Sequence, residues 1–377
     1  MKIFTNVRFA KSEGMARTLS TFIDFVEKDR QTKINIVGMA VSGKKKQANL
    51  KGTKRSKFSL LSVETDIPLI NKVVKKSEDI GDVAKAYEHI VEIYDKAINQ
   101  EKPDLILING TYYMPWCLLA ASKSRKIPTV IHYHGVLTKE TEHWKEGPRK
   151  IFRQMENCFD SESFFYLFPS NLTKDVVEEE VFGHKIAKSS VLPNPVPLYF
   201  FRARPSVKSK NVGIVARWGR VKNTRFLKRF AVYNQKSDDK LNINIITNLK
   251  KNSKHKKGLS NLVRFRNPMD RRKLTGFYEK MGVMISPSHF ETYGNVANEA
   301  IAAGIPALIN PNMGVSEVFR KIGLADWIID FKSAKNVHQK VRETIGRRID
   351  GKTRAKIKEL CSPSMVCSRM VNILRSV

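Results

Sequence analysis

Short apolar runs alternate along this chain with longer stretches in which apolar residues recur at helical spacing. The runs fall at 33–41, 105–109, 129–133, 164–168, 212–216, 243–247, 283–286 and 307–309, and their length and abrupt ends predict strands. Between them lie amphipathic segments such as 18–28, where Leu19, Phe22, Ile23 and Val26 would bury one helix face. Strands separated by helices imply parallel sheets covered on both sides, an α/β architecture of doubly wound layers. The series is interrupted at Leu192-Pro193-Asn194-Pro195-Val196-Pro197, where three prolines remove N–H donors and fix φ. An interdomain linker is expected there, because a fresh strand pattern starts at Val212.

At 377 residues and 41% hydrophobic content, the chain is too long for one ordinary core and suits two domains of roughly 150–200 residues. In sheets of this kind ligands collect beyond the carboxyl ends of strands, so the loops that follow strands are where chemistry is expected. Cys117, Cys158, Cys361 and Cys367 show neither CxxC spacing nor paired histidines. They suggest no zinc site and no disulfide framework, and a reducing cytoplasm fits best. The first residues turn polar too early for a signal peptide, and no uncharged apolar run approaches the ~18 residues of a membrane span. The expectation is a cytoplasmic protein, soluble or lying on the inner face of a membrane.

Charge changes this picture. Lys and Arg number 68 against 36 Asp and Glu, a net charge of +32, which predicts a polyanionic partner. The cations cluster at Lys44-Lys45-Lys46 with Lys51, Lys54, Arg55 and Lys57, and again at Lys250, Lys251, Lys254, Lys256 and Lys257. A solvated loop explains either run taken alone.

The richest segment is Ser286-Pro287-Ser288-His289-Phe290-Glu291-Thr292-Tyr293-Gly294-Asn295-Val296-Ala297-Asn298-Glu299-Ala300, a strand end, a glycine turn and a helix start. Asn295 is suited to cap the helix, with Val296, Ala300 and Ile301 on its buried side. N–H groups at a helix start, with the dipole behind them, suit a diphosphate, and Gly294 lets the phosphate approach. Glu291 and Glu299, with seven residues between them, are carboxylates that would accept hydrogen bonds from vicinal hydroxyls. Read separately, Glu299 favours a helix N-terminus and Glu291 is a turn residue. The strand at 212–217 opens into Trp218-Gly219-Arg220-Val221-Lys222-Asn223, offering Arg217 and Lys222 as cations for a diphosphate leaving group. In so basic a chain they also read as ordinary surface bases.

Taken together, these residues make the C-terminal half similar to family-four glycosyltransferases of the GT-B fold. Glu291-x7-Glu299 matches that family's carboxylate motif, Arg217 and Lys222 its phosphate clamp, and Gly304-Ile305-Pro306-Ala307 the Gly-x-Pro that follows. The first half resembles the family more weakly. Pro128-Thr129-Val130-Ile131-His132-Tyr133-His134-Gly135 is similar to a strand ending in the family His-Gly, which puts His134 near the reacting sugar and makes His132 the weaker candidate. Ser12-Glu13-Gly14-Met15 resembles the first strand-to-helix loop. Glu13 stands where the family usually has a second glycine beside Gly14, and 246–248 and 310–314 also depart from glycine-rich turns, which bears on base and sugar preference more than on activity.

The resemblance implies two Rossmann-like domains whose parallel sheets face a central cleft. Residues 1–192 would bind the acceptor and 193–360 the nucleotide sugar, with 361–377 a helix crossing back to the first domain through Met365, Met370, Val371 and Leu374. It implies transfer with retention from a UDP- or GDP-sugar, domain closure about the linker, and no obligatory metal or other cofactor. Gly14, Thr292, Tyr293, Gly294 and Asn295 would contribute to donor binding. Arg217 and Lys222 would stabilise the departing diphosphate, Glu291 would hold sugar hydroxyls and Glu299 the ribose. His134 would orient the sugar or share the transferred proton.

The charge is then a question about the acceptor, since a donor needs only a few cations. A glycolipid, phospholipid or lipid-linked glycan at an anionic membrane fits, with Phe58, Leu60 and Leu61 beside the basic loop dipping into the interface. Nucleic acid is the other polyanion, with a flipped base as acceptor and the second basic patch extending the track. No nucleic-acid-binding motif accompanies the charge. An inactive GT-B-like binding protein, and a phosphorylase or sugar-nucleotide epimerase, are the remaining readings.

Overall fold

The structure, a computed structural model, describes residues 1–8, 14–43, 49–206, 209–250 and 252–377, with the backbone alone at 14–15, 49–53 and 271–272. The chain divides into two compact units, Met1–Leu192 with Cys367–Val377, and Pro193–Val366. Ser12 and Glu13, the cations Lys44, Lys45 and Lys46, and Lys251 lie outside the described residues.

The first unit is built on β1 (Lys2–Asn6), β2 (Asn35–Ser42), β3 (Asn49–Lys54), β4 (Phe58–Glu64), β5 (Leu105–Asn109), β6 (Thr129–His132), β7 (Phe165–Phe168) and β8 (Ser189–Val191). They form one sheet in the order β3-β4-β2-β1-β5-β6-β7-β8. Only β3 runs antiparallel, pairing Asn49 with Glu64 and Lys54 with Ser59. β1 and β5 sit at the centre, and all of Leu105–Asn109 is buried, which is why these strands read as unbroken apolar runs. The helix Tyr113–Ser122 packs against them, and the helix Ile80–Glu101 packs in turn on that helix, burying Val83, Tyr87, Ile90, Tyr94 and Ile98. Asp79 caps it, accepting from the N–H groups of Gly81 at 2.7 Å and Asp82 at 3.2 Å.

Two expectations fail here. The basic segment 44–57 is not a single loop, because its second half is β3; an exposed edge beside β4 leaves ladder groups that an extended chain satisfies. Phe58, expected to dip into an interface, is instead buried, while Leu60 and Leu61 are half-buried within β4, which β2 and β3 pair on both sides.

The second unit holds β9 (Asn211–Val215), β10 (Asn242–Ile246), β11 (Arg264–Arg266), β12 (Val283–Ser286) and β13 (Ala307–Ile309), all parallel in the order β11-β10-β9-β12-β13. The first strand is central, so the chain reverses its direction of winding between β9 and β12. Gly213 on β9 belongs to that junction: a Cβ there would strike Met284 Sδ and come within 2.8 Å of Met281 Cγ. The linker is tied into this unit, Val196 N–H donating to Cys361 O at 2.7 Å.

The last helix, Pro363–Ser376, begins in the second unit and contributes Cys367–Val377 to the first. Met370, Val371 and Leu374 are buried as expected, but Met365 is exposed and Val366 and Cys367 are buried instead. Helical spacing accounts for this, since 366, 367, 370, 371 and 374 form one stripe that 365 misses. Among the described residues, no helix is long and apolar enough to cross a membrane.

Candidate functional site

The reversal of strand order between β9 and β12 marks where an open parallel sheet accepts a ligand. The loops leaving those strands, 216–223 and 287–294, carry most of the residues singled out above. They are fastened together, His289 N–H donating to Val221 O at 2.8 Å. On the first loop Asn223 adopts a left-handed φ of 51° and caps the helix Thr224–Lys236, its Oδ1 accepting from Phe226 N–H. Lys222 immediately precedes this bend and is aimed across the junction.

Lys222 Nζ meets Glu291 Oε1 at 3.0 Å, with both side chains partly enclosed. Glu291 is held at every level. Its Oε1 also accepts from Ser288 Oγ at 2.6 Å. Its N–H donates to Asn312 O at 3.1 Å, and its C=O accepts from Gly314 N–H at 3.0 Å. The turn 310–314 therefore works as a backbone brace under the carboxylate. Arg217, at the mouth of the same loop, is exposed, and the next residue, Trp218, donates its N–H to Asn248 Oδ1 at 2.9 Å. Asn248 thereby links the exits of β9 and β10 in place of a glycine-rich turn.

Gly294 precedes the helix Asn295–Ala302 with φ 105° and ψ 54°. A Cβ there would stand 2.7 Å from Met313 Cε and 3.0 Å from Val315 Cγ1, so conformation and space both demand glycine. The cap position is thus Gly294, not Asn295 as expected. A left-handed residue supplies the entry bend, and Asn295 becomes the first helical residue, its Oδ1 accepting from Asn194 Nδ2 at 3.0 Å. The first turn of this helix leaves N–H groups pointing toward the same loop, which suits an anion.

Tyr293 differs from expectation. Its ring is only 2% exposed, and its hydroxyl accepts from Asn298 Nδ2 at 2.9 Å and lies 3.5 Å from Cys361 Sγ. Its C=O accepts from Val315 N–H at 2.6 Å. The side chain therefore supports the loop from the core. Thr292 beside it is half-buried. Glu299 is also enclosed, 3% exposed, with Oε2 accepting from Tyr278 OH at 3.2 Å. Val296, expected on the buried side, is half-buried, whereas Ala300 and Ile301 are in the core.

In the first unit the corresponding reversal lies between β1 and β5, and both strands end in asparagine. Asn6 Nδ2 donates to Asn109 O at 2.9 Å, and Asn109 N–H donates back to Asn6 Oδ1 at 2.8 Å. Asn109 Oδ1 in turn lies 2.7 Å from His134 Nε2, so that nitrogen carries the hydrogen and Nδ1 is the unprotonated one in the neutral ring. Burial first, and then the neighbouring His132, hold His134 well below the usual histidine range. The two rings are 4.1 Å apart, and burial alone lowers His132 to about 4. The turn after His134 is braced by Glu156, whose oxygens accept from Leu137 N–H, Thr138 N–H and Thr138 Oγ, each at 2.8 Å. Gly14 is the first residue of the helix Gly14–Lys28. Asn6, Asn109, Asn194, Glu156 and Ser288 escaped the sequence reading; the terminal asparagine shared by the central runs KIFTN and LILIN was the one signal available.

Comparison with known proteins bears on the fold and the family. Residues 198–360 match the family model described as Glycosyl transferases group 1, and residues 87–200 match the one described as Glycosyltransferase Family 4. A comparison with curated proteins finds no match. Among solved structures, sucrose-phosphate synthase from Thermosynechococcus elongatus is similar over 100% of this chain and 99% of its own, with TM-score 0.75 at 13% identity. Trehalose-6-phosphate synthase OtsA gives TM-score 0.69 at 12% identity over 100% and 99%. HepE of Anabaena, solved in complex with UDP and glucose, gives 0.67 at 15% over 100% of both chains. At such identities the structural likeness speaks to fold, and the two family models, meeting at the linker, speak to lineage. The chain belongs to the family-four glycosyltransferases of the GT-B fold.

Proposed function

We propose that this glycosyltransferase transfers a hexose, with retention, from a nucleoside-diphosphate sugar to an anionic or lipid-linked acceptor, the donor being held by the second unit and the acceptor by the first. The observation that carries the donor half is the Lys222–Glu291 pair at the β9/β12 reversal, beside the helix that starts after Gly294. In this reading Lys222, Arg217 and the N–H groups at Gly294 and Asn295 receive the diphosphate. They stabilise the charge that develops on it as the bond to the anomeric carbon breaks, worth several kcal/mol for well-placed donors. Thr292 and Gly14 flank the phosphates, Glu291 accepts from sugar hydroxyls and Glu299 from the ribose. Neutral His134 orients the sugar or shares the proton released by the acceptor. No covalent nucleophile is assigned.

A uridine nucleotide is the first donor to try. HepE is described with UDP and glucose, and an E. coli relative with UDP-2-fluoro glucose. An anionic acceptor accords with the net charge of +32, and a trehalose-phosphate synthase from Burkholderia xenovorans is described with glucose-6-phosphate. The test is product formation from UDP- and GDP-hexoses with sugar-phosphate and lipid-phosphate acceptors, with the anomeric configuration read by NMR. Retained configuration is the expected result; donor binding without transfer or hydrolysis would return the chain to a binding role.

A further inference from the structure

Leu69 and Trp144 are among the few large apolar side chains left open to solvent, 64% and 43% exposed. Leu69 follows β4 and Trp144 follows β6, strands that run in the same direction through the first unit's sheet. Both therefore stand on the edge of the sheet from which His134 also emerges. Leu69 leads into the helix Ile70–Lys76 and Trp144 into the helix Glu146–Asn157, and these two helices pack against each other.

The outer faces of both helices are cationic. Ile70 and Val74 point inward, leaving Lys72, Lys75 and Lys76 exposed, and no acidic residue occurs from 69 to 76. The second helix buries Ile151, Phe152 and Met155 and exposes Lys150 and Arg153, while Glu146 is engaged by Arg149 at 3.6 Å. Trp144 rests edge-on against Phe152, with ring centroids 5.4 Å apart, so one edge is anchored and the rest of the indole is presented outward.

Two kinds of group on one rim select the partner. A soluble polyanion would satisfy the lysines and leave Leu69 and Trp144 in water. An anionic bilayer satisfies both, since indole and leucine side chains enter the headgroup boundary while Lys and Arg stay over the charged headgroups. We infer that this rim seats the protein on a membrane containing anionic lipid, with Trp144 and Leu69 in the interface. The inference that a lipid-linked acceptor is thereby offered to the His134 edge rests on the function proposed above; the docking does not.

Full-length protein is sedimented with vesicles of phosphatidylcholine containing phosphatidylglycerol, and with phosphatidylcholine alone, at low salt. Binding to the anionic vesicles only is expected, with a blue shift of tryptophan emission that Trp144→Phe loses while still sedimenting. Trp116 and Trp327 are buried and should not respond. The triple variant Lys72→Glu, Lys75→Glu, Lys76→Glu should weaken binding on the order of a hundredfold, and Leu69→Ser with Trp144→Ser should weaken it on the order of tenfold, each with an unchanged melting temperature. Unaltered sedimentation of both variants would overturn the assignment, as would absence of vesicle binding. Retention of duplex DNA or RNA by the same cations, without vesicle binding, would give the rim to nucleic acid and overturn it equally. Because sedimentation needs no donor, failed docking is distinguishable from failed transfer.

Discussion

Lys222 Nζ stands 3.0 Å from Glu291 Oε1, joining the loops that follow β9 and β12 across the point where the second sheet reverses. Each side chain fixes the other, and Ser288 completes the arrangement from the buried side. Lys222→Ala and Glu291→Ala should each lower kcat/KM about 10²–10³-fold, as loss of a well-placed charge in such a site does. Because the partners act as a unit, the double variant should lose much less than the product of the single factors. Steady-state kinetics on all four proteins checks this; strict multiplicativity would mean independent roles.

Gly294→Ala should be costly although it adds one methyl group. The left-handed φ of 105° and the 2.7 Å approach to Met313 Cε predict a loss of about 1–3 kcal/mol, with the helix start displaced from the brace at 313–315. Denaturant unfolding and isothermal titration with UDP and GDP should show lower stability and weaker nucleotide binding together.

Asn109→Ala removes the acceptor for His134 Nε2 but keeps the backbone N–H and C=O that bind Asn6. Misorienting a group at the reacting centre acts on turnover more than on donor affinity. A fall in kcat of roughly 10–100-fold with donor KM unchanged is expected, and a change confined to KM would argue against positioning by Asn109.

Acid stability should carry the mark of the two histidines. His132, lowered to about 4 by burial, and His134, held well below the usual histidine range by burial and by His132, refuse protons that the unfolded chain takes up below pH 6.5. Stability is therefore lost as pH falls from 6.5 toward 4, with His132 accounting for on the order of 3 kcal/mol. His132 Nε2 is buried without a hydrogen-bond partner, so His132→Phe should shrink the loss between pH 7 and pH 4.5 in denaturant melts.

Glu156 works in the opposite direction. Burial raises its carboxyl from the ordinary 4.5 to about 7, against the hydrogen bonds it accepts from Thr138 and Leu137. The native state keeps a proton that the unfolded state releases, so this contribution is present below pH 4.5 and lost as pH rises through 7. Glu156→Gln should abolish that slope, and an unaltered pH profile would show the group to be ionised throughout.

Much of this was legible in the chain. Parallel strands buried on both faces must be apolar throughout, so 105–109, 283–286 and 307–309 announced themselves with the bounds the sheet gives them. Short edge strands such as Ser189–Val191 and Arg264–Arg266 did not, because an edge is defined by a neighbour's unpaired ladder and not by its own side chains. Asn295 looked like a cap because its type caps helices; the chain instead turns at Gly294, and only the crowding by Met313 and Val315 shows why.

The sequence by itself determined the alternation that makes two α/β units, the proline linker between them, the glycine bend before Asn295, the Glu291 and Glu299 spacing and the excess of positive charge. These are properties of local backbone preference and composition, and they survive without a partner. Tertiary structure alone decided that Lys222 meets Glu291, that Asn6 and Asn109 lock under His134, that Tyr293 belongs to the core, and that Leu69 and Trp144 share a cationic rim. Each of these joins residues far apart in the chain through sheet order, which no local spacing encodes.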